Sequence, residues 1–159
     1  PQVCLLPLFM LLKTLKLKNT LWAMIFPYIA FRLPVSIMLI RSFFVGISKE
    51  MEEAAIIDGA TLFQIYKTIY LPLSKPIMST VIIMTAYYAW NEFVFATIFV
   101  DSSKLRTIPV GLMTFSDGLM TEWGVVLAGM VIACLPIMIL FIVMQKNFVR
   151  GMTAGSVKG

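Results

Sequence analysis

Residues 123–144 read WGVVLAGMVIACLPIMILFIVM, with no charged side chain anywhere in the run. An α-helix rises about 1.5 Å per residue, so a run of this length covers the roughly 30 Å of hydrocarbon in a bilayer. A surface helix of a soluble protein keeps one polar face, and this stretch has none. It predicts a membrane span, and with it an all-α transmembrane fold. Two further largely apolar stretches, 21–40 and 77–100, each with a single charged residue (Arg32 and Glu92), predict two more spans. The apolar residues from Val3 to Leu12 are too few to cross and read as the trailing part of another span, so three full spans and part of a fourth are expected. Pro27, Pro34 and Pro136 fall inside these runs. In water they would end a helix; in a membrane bundle neighbours re-satisfy the freed carbonyls and the spans continue.

Composition points the same way. The 159 residues are 60% hydrophobic and 13% charged, with a mean hydropathy of +0.92. A soluble domain is about a quarter charged and less than half apolar, so the surplus here must face lipid or partner subunits. The net charge of +5 does not mark a nucleic-acid partner. The basic residues stand at the edges of apolar runs, where Lys and Arg meet headgroups, not in a patch interleaved with aromatics. No histidine occurs, which removes His-based catalysis and most zinc sites. Cys4 and Cys134 lie far apart within apolar runs and are expected as small buried hydrophobes, so no metal site is expected. The chain opens Pro1-Gln2-Val3-Cys4, without a basic leader or cleavage site, and reads as the C-terminal part of a longer subunit.

Polar segments separate the spans at 13–19, 41–75 and 101–122, with a tail over 145–159. Spans alternate in direction, so 41–75 and the tail share one face of the membrane. Arg41, Lys49, Lys67, Lys75, Lys146, Arg150 and Lys158 give that face seven basic residues. The other has five, Lys13, Lys16, Lys18, Lys104 and Arg106, so the first is favoured as cytoplasmic. Inside 41–75, Ser48 predicts an N-cap, and Glu50, Glu52 and Glu53 fall in the first turns, where the helix dipole favours negative charge. Asp58-Gly59 predicts a turn, with Gly59 free to take a positive φ. Thr61 with Gln64 makes a capping-box pattern opening a second helix, on which Leu62, Ile65 and Ile69 form an apolar stripe. Pro72 is expected to stop that helix, because Leu71 before it is disfavoured in the α region. From these residues alone, an amphipathic helix lying among headgroups stays open as a second reading.

The same segment carries a resemblance. Glu53-Ala54-Ala55, three residues, Gly59, nine residues, then Ile69-Tyr70-Leu71-Pro72 resembles, without a gap, the EAA signature of ABC-importer permease subunits. The run from Glu52 to Thr61, through Asp58, Gly59 and Ala60, is similar to the carbohydrate-uptake branch. So are Asn19-Thr20, Trp90-Asn91-Glu92-Phe93 and the glycine-rich ending from Phe148 to Gly159, which most resembles the maltose-transporter type of subunit. The resemblance implies a type I importer helical bundle, of six spans in the whole subunit, in a bacterial inner membrane. It implies that 46–72 is a cytoplasmic loop coupled to ATPase subunits through Glu53, Ala54, Ala55, Asp58, Gly59, Ala60, Ile69, Leu71 and Pro72. It places 101–122 outside, toward a soluble solute-binding protein, and 145–159 inside. The implied partners are a second permease subunit, two ATPase subunits, the binding protein, a carbohydrate and membrane lipid. No phosphate loop of the GxxxxGK[ST] type occurs, so no cofactor is expected on this chain, and ATP with Mg²⁺ would sit on the ATPases. Physically, a subunit driven by a separate ATPase needs a rigid lever. Ala54 and Ala55 let a helix seat closely in a cleft, and Glu53 and Asp58 offer charge.

Trp90-Asn91-Glu92 is the second constellation. An ionisable residue within a span is costly in lipid and marks function by default, while bonding to a neighbouring helix is an equal reading. Trp90, with Tyr87 and Tyr88 nearby, suits stacking on a sugar face and equally suits interfacial anchoring. These three residues are therefore candidates for the translocation path. Arg32 is the obvious partner for Glu92, but depth opposes it. In straight helices Arg32 would lie ~18 Å below the outer face and Glu92 only ~6 Å below it. The mismatch of ~12 Å exceeds an easy reach, and direct pairing is not expected. The chain is not expected to be an enzyme: it has no GxSxG and no paired intramembrane Asp. An importer for a non-sugar polar solute, a channel and an intramembrane structural protein are the other readings.

Overall fold

The computed structural model describes residues 2–117 and 120–153. The end of the glycine-rich tail, 154–159, lies outside the described residues, as does everything expected of it. A short 3-10 turn precedes α1 (Leu5–Thr14), and α2 (Trp22–Val45) and α3 (Lys49–Ile57) follow. Next come α4 (Leu62–Ile65), a π turn (Tyr66–Tyr70), α5 (Leu71–Leu73), α6 (Lys75–Asn91) and α7 (Val94–Phe99). The chain continues with α8 (Ile108–Leu112), a two-residue antiparallel pairing of β1 (Ser116–Asp117) with β2 (Met120–Thr121), and α9 (Trp123–Thr153). The fold is helical apart from that ribbon.

Two helices, Trp22–Val45 and Trp123–Gln145, are long and apolar enough to cross a membrane. A third candidate is the pair Leu62–Leu73 and Lys75–Asn91, bent by 62° at Ser74. Helix α2 outruns the expected 21–40 because nothing after Ile40 breaks it before Gly46, and Phe43, Phe44 and Val45 continue its apolar run. It passes through Pro27 and Pro34, as α9 passes through Pro136. The expected continuous span over 77–100 is corrected: α6 ends at Asn91 and α7 begins at Val94. Pro72 does not stop its helix either. The N–H of Leu71 bonds Tyr66 O, five residues back, so the preceding turn is a π turn and Pro72 enters as a first-turn residue of α5, where a missing N–H costs little. The helix then bends two residues later. Cys4 and Cys134 are both exposed, against expectation, because the apolar helices carrying them leave those faces uncovered.

Contacts divide the chain into two units, residues up to Leu33 with Thr85–Leu140, and Pro34–Met84 with the stretch from Phe141. In the first, Leu12, Ala23, Phe95 and Phe99 are buried together against Leu5, Leu8, Phe9 and Phe31. Phe95 stacks on Phe31 and on Phe99, each at 5.4 Å between ring centroids. Met24, Ala96, Val100 and Val110 form a second cluster beside α7. Lipid tails are as apolar as these side chains, so in a bilayer such contacts gain from close packing rather than from escape from water. Polar ties close the same region. Asn19 adopts φ 61, tolerated by Asn, and its Oδ1 accepts the amides of Asp101 (3.1 Å) and Ser102 (2.8 Å). Lys18 pairs with Asp101 at 2.9 Å. In the second unit, Ile65 and Ser74 are buried. Leu62 is 75% exposed, so the expected apolar stripe is not buried as one face; Ile65 carries it.

Candidate functional site

The loop from Ser48 is built by local rules. Ser48 takes an extended conformation and its hydroxyl accepts the amide of Glu50 at 3.2 Å, capping α3. At the other end, Gly59 N–H bonds Ile56 O and Ala60 N–H bonds Ala55 O, both at 2.9 Å. This is the Schellman closure, with Gly59 at φ +78 as its left-handed residue. The Ala55-to-Gly59 interval of the motif is thus the interval between the third-last helical residue and the left-handed one. Thr61 and Gln64 form the expected capping box, with Gln64 Oε1 accepting the Thr61 amide at 2.7 Å.

Helix α3 carries no buried side chain. Glu53, Ala54, Asp58 and Gly59 are exposed and Ala55 and Ala60 half-buried. Ile57 is 86% exposed and Ile56 53%. An exposed helix that presents acids and bare isoleucines together suits a partner's cleft better than water. Ile69 (half-buried), Leu71 and Pro72 (both exposed) lie on the return segment, not on α3. The two are joined by a contact the sequence reading missed: Tyr70 donates its hydroxyl proton to Glu52 Oε2 at 2.7 Å. That bond, with desolvation and the carboxylate's charge, raises the phenol's pKa above its ordinary value. The edge of Tyr70 also meets Phe44 of α2 at 5.6 Å.

The second constellation sits where α6 breaks. Glu92 occupies the position before the cap of α7, and its carboxylate accepts the amides of Phe95 (2.8 Å) and Ala96 (3.1 Å). Tyr28 donates to the same carboxylate at 2.8 Å. The acid thereby satisfies first-turn amides of α7 that have no partner within the helix. Tyr28 was also missed, though a tyrosine amid apolar residues signals a hydroxyl in need of a partner. Arg32 lies with its guanidinium over the Tyr88 ring, 4.6 Å from the centroid. Trp90 donates its indole N–H to Ala133 O of α9 at 2.9 Å, which fixes the ring. Asn91 donates to Tyr87 O at 2.8 Å and is exposed. A cavity of about 580 Å³ opens beside them, its wall including Tyr87, Trp90, Asn91, Thr121 and Trp123. Of the three candidate path residues, Trp90 and Asn91 line this cavity and Glu92 does not. Among the described residues, no group of three or more His, Cys, Asp or Glu is placed to hold a metal.

The family model for "Binding-protein-dependent transport system inner membrane component" matches residues 1–154. A Bacillus subtilis (strain 168) protein, "Probable ABC transporter permease protein YurM", is 58% identical over 159 residues, covering 100% of this chain and 53% of its own length. The "Trehalose/maltose transport system permease protein MalG" of Thermococcus litoralis is 40% identical over 162 residues, with 100% and 58% covered. Among solved structures, a chain of a bacterial ABC transporter involved in import of the acidic polysaccharide alginate aligns with TM-score 0.66 at 27% identity, over 91% of this chain and 56% of that one. The chain therefore spans about half the length of the curated relatives it matches.

Proposed function

We propose, because this chain belongs to the family of binding-protein-dependent transport system inner membrane components, that it is part of a permease subunit of a bacterial carbohydrate importer driven by separate ATPases. The observation that carries this reading is α3: a capped, exposed, nine-residue helix ended by a left-handed glycine at the EAA interval. In this reading α3 seats in an ATPase subunit, with Glu53 and Asp58 for charge and Ala54 and Ala55 for close approach. Its partners are two ATPase subunits, which hold ATP and Mg²⁺, a second permease subunit, an external solute-binding protein and lipid. The protein crosses the membrane several times, with 46–72 and the tail inside and 101–122 outside. The names of relatives that carry trehalose/maltose or arabinooligosaccharides support a sugar as solute. Trp90 and Asn91, on a largely apolar cavity whose aromatic side chains are Tyr87, Trp90 and Trp123, would line the path, since aromatic rings suit the apolar face of a sugar.

The test is purification of the complete subunit from cells expressing its neighbouring genes. ATPase subunits should co-purify, and hydrolysis should rise with an oligosaccharide and its binding protein in liposomes. A subunit that purifies without an ATPase, or passes solute without ATP, would be a channel or structural protein instead.

A further inference from the structure

We propose that the Tyr70–Glu52 hydrogen bond is a strut that holds the angle of α3, making both residues positioning elements of the coupling machinery; the inference rests on the coupling role proposed for α3. None of the side chains of α3 is buried, so no core packing orients it. Its entry runs through Gly46-Ile47-Ser48, outside any helix, and its exit is the Gly59 closure, which fixes the local turn through bonds back to Ile56 and Ala55. That closure aims α3, but it gives a nine-residue helix with no buried side chain no brace against a neighbouring element.

One side-chain bond supplies that brace. Glu52 accepts the Tyr70 hydroxyl at 2.7 Å, across eighteen positions of chain, and a carboxylate acceptor makes this stronger than a neutral pair. Tyr70 is itself well braced. Its ring meets that of Phe44, near the end of α2, edge to face at 5.6 Å between centroids. It is also the last residue of the π turn, four positions before the 62° bend that leads into α6. A π turn holds one more residue than an α turn, and so resets the direction in which Tyr70 leaves the helix. Through one phenol, α3 is thus tied to α2 and to the foot of a candidate span. A force on α3 reaches that foot by a side-chain path shorter than the backbone route through Gly59, Thr61 and Ile65.

The test uses the complete subunit with its ATPases and binding protein. Spin labels at Ile57→Cys and Lys67→Cys, after replacement of Cys4 and Cys134, report the angle of α3 as a distance distribution. Tyr70→Phe keeps the ring on Phe44 and deletes the donor; Glu52→Ala deletes the acceptor; Glu52→Gln keeps an acceptor. Tyr70→Phe and Glu52→Ala should each broaden the distribution and lower solute-stimulated ATP hydrolysis at least about tenfold, the factor a hydrogen bond to a charged acceptor is worth. The double variant should be no worse than either single one, because both remove the same bond, and Glu52→Gln, a weaker neutral acceptor, should restore both readouts in part. An unchanged distribution in Tyr70→Phe overturns the strut. So does a broadened one with normal coupling, provided Glu53→Lys abolishes coupling in the same preparation. If Glu53→Lys is also without effect, it is the lever reading of α3 that fails, and the inference falls with it.

Discussion

Valine at position 59 would separate backbone strain from steric crowding. Gly59 sits at φ +78, and a Cβ built on it would meet no atom within 4 Å. Space is therefore not the obstacle; the left-handed backbone is. An L-residue held there costs about 1–2 kcal/mol, and a β-branched one up to about 3 kcal/mol, while Asn tolerates the region best. The penalty falls on the closure formed by Gly59 N–H to Ile56 O and Ala60 N–H to Ala55 O, which aims α3. Because α3 buries nothing, the rest of the fold does not depend on that aim, and membrane abundance should stay near normal. A strain of 1–3 kcal/mol lowers the preference for the native elbow by about 5- to 150-fold. Transport and solute-stimulated hydrolysis should fall in the order Asn, Ala, Val, with Gly59→Val the most impaired. Glu53→Lys, which leaves the elbow intact and reverses an exposed charge, should impair coupling by a separate route. Ile139→Leu, on an exposed apolar face of α9, is the control and should do nothing. The assays are uptake and ATP hydrolysis in the complete subunit with its partners, at matched membrane levels. If Gly59→Asn is as damaging as Gly59→Val, strain at the left-handed position is not the cause. Full coupling in both Gly59→Val and Glu53→Lys would refute the lever.

Two further outcomes follow from the helix break and from the order of the spans. Glu92→Ala leaves the amides of Phe95 and Ala96, both buried, without their acceptor, at about 1–3 kcal/mol for each stranded group. Tyr28→Phe loses one bond to a charged acceptor, about 1.5–3 kcal/mol, whereas Glu92→Ala strands the Tyr28 hydroxyl as well as both amides, so the thermal midpoint in detergent should fall further for Glu92→Ala; equal falls would deny the acid its capping role. For topology, a membrane-impermeant thiol reagent in intact cells should label Lys104→Cys and not Lys67→Cys, once the exposed Cys4 and Cys134 are replaced. The reverse pattern would invert the proposed orientation.

What could be read from the sequence was what local rules decide. Ser48, Asp58-Gly59 and the Thr61–Gln64 box lie where their caps and turn lie, because each is satisfied within a few residues. The apolar runs gave α2 and α9 because length and hydropathy need no partner to be evaluated. Pro72 misled because its rule holds for an α turn. One extra residue in the preceding turn moved the Leu71 N–H onto Tyr66 O, and the helix went on. Glu92 misled for the opposite reason. Nothing at Glu92-Phe93 is a helix breaker, and the break is made by a hydroxyl from Tyr28, 64 positions away, together with amides that only a new helix presents. Neither this bond nor the one between Tyr70 and Glu52 leaves a spacing that a periodic pattern can reveal.

The break also resolves why an acid lies in an apolar stretch. A helix that starts away from water has amides that must find an acceptor, and a carboxylate bonded by three donors is a stronger one than any neutral side chain. The count of depth from Pro76 to Glu92 runs along the continuous α6, because the bend at Ser74 and the break after Asn91 lie outside it. Arg32 stacks on Tyr88, one turn before the acid. Glu92 is held by Tyr28 and by the amides of Phe95 and Ala96. Trp90 gives its N–H to Ala133, and Asn91 gives its amide nitrogen to Tyr87. In the proposed path, the fixed ring of Trp90 beside the Asn91 amide, on a cavity of about 580 Å³, is what a solute would meet.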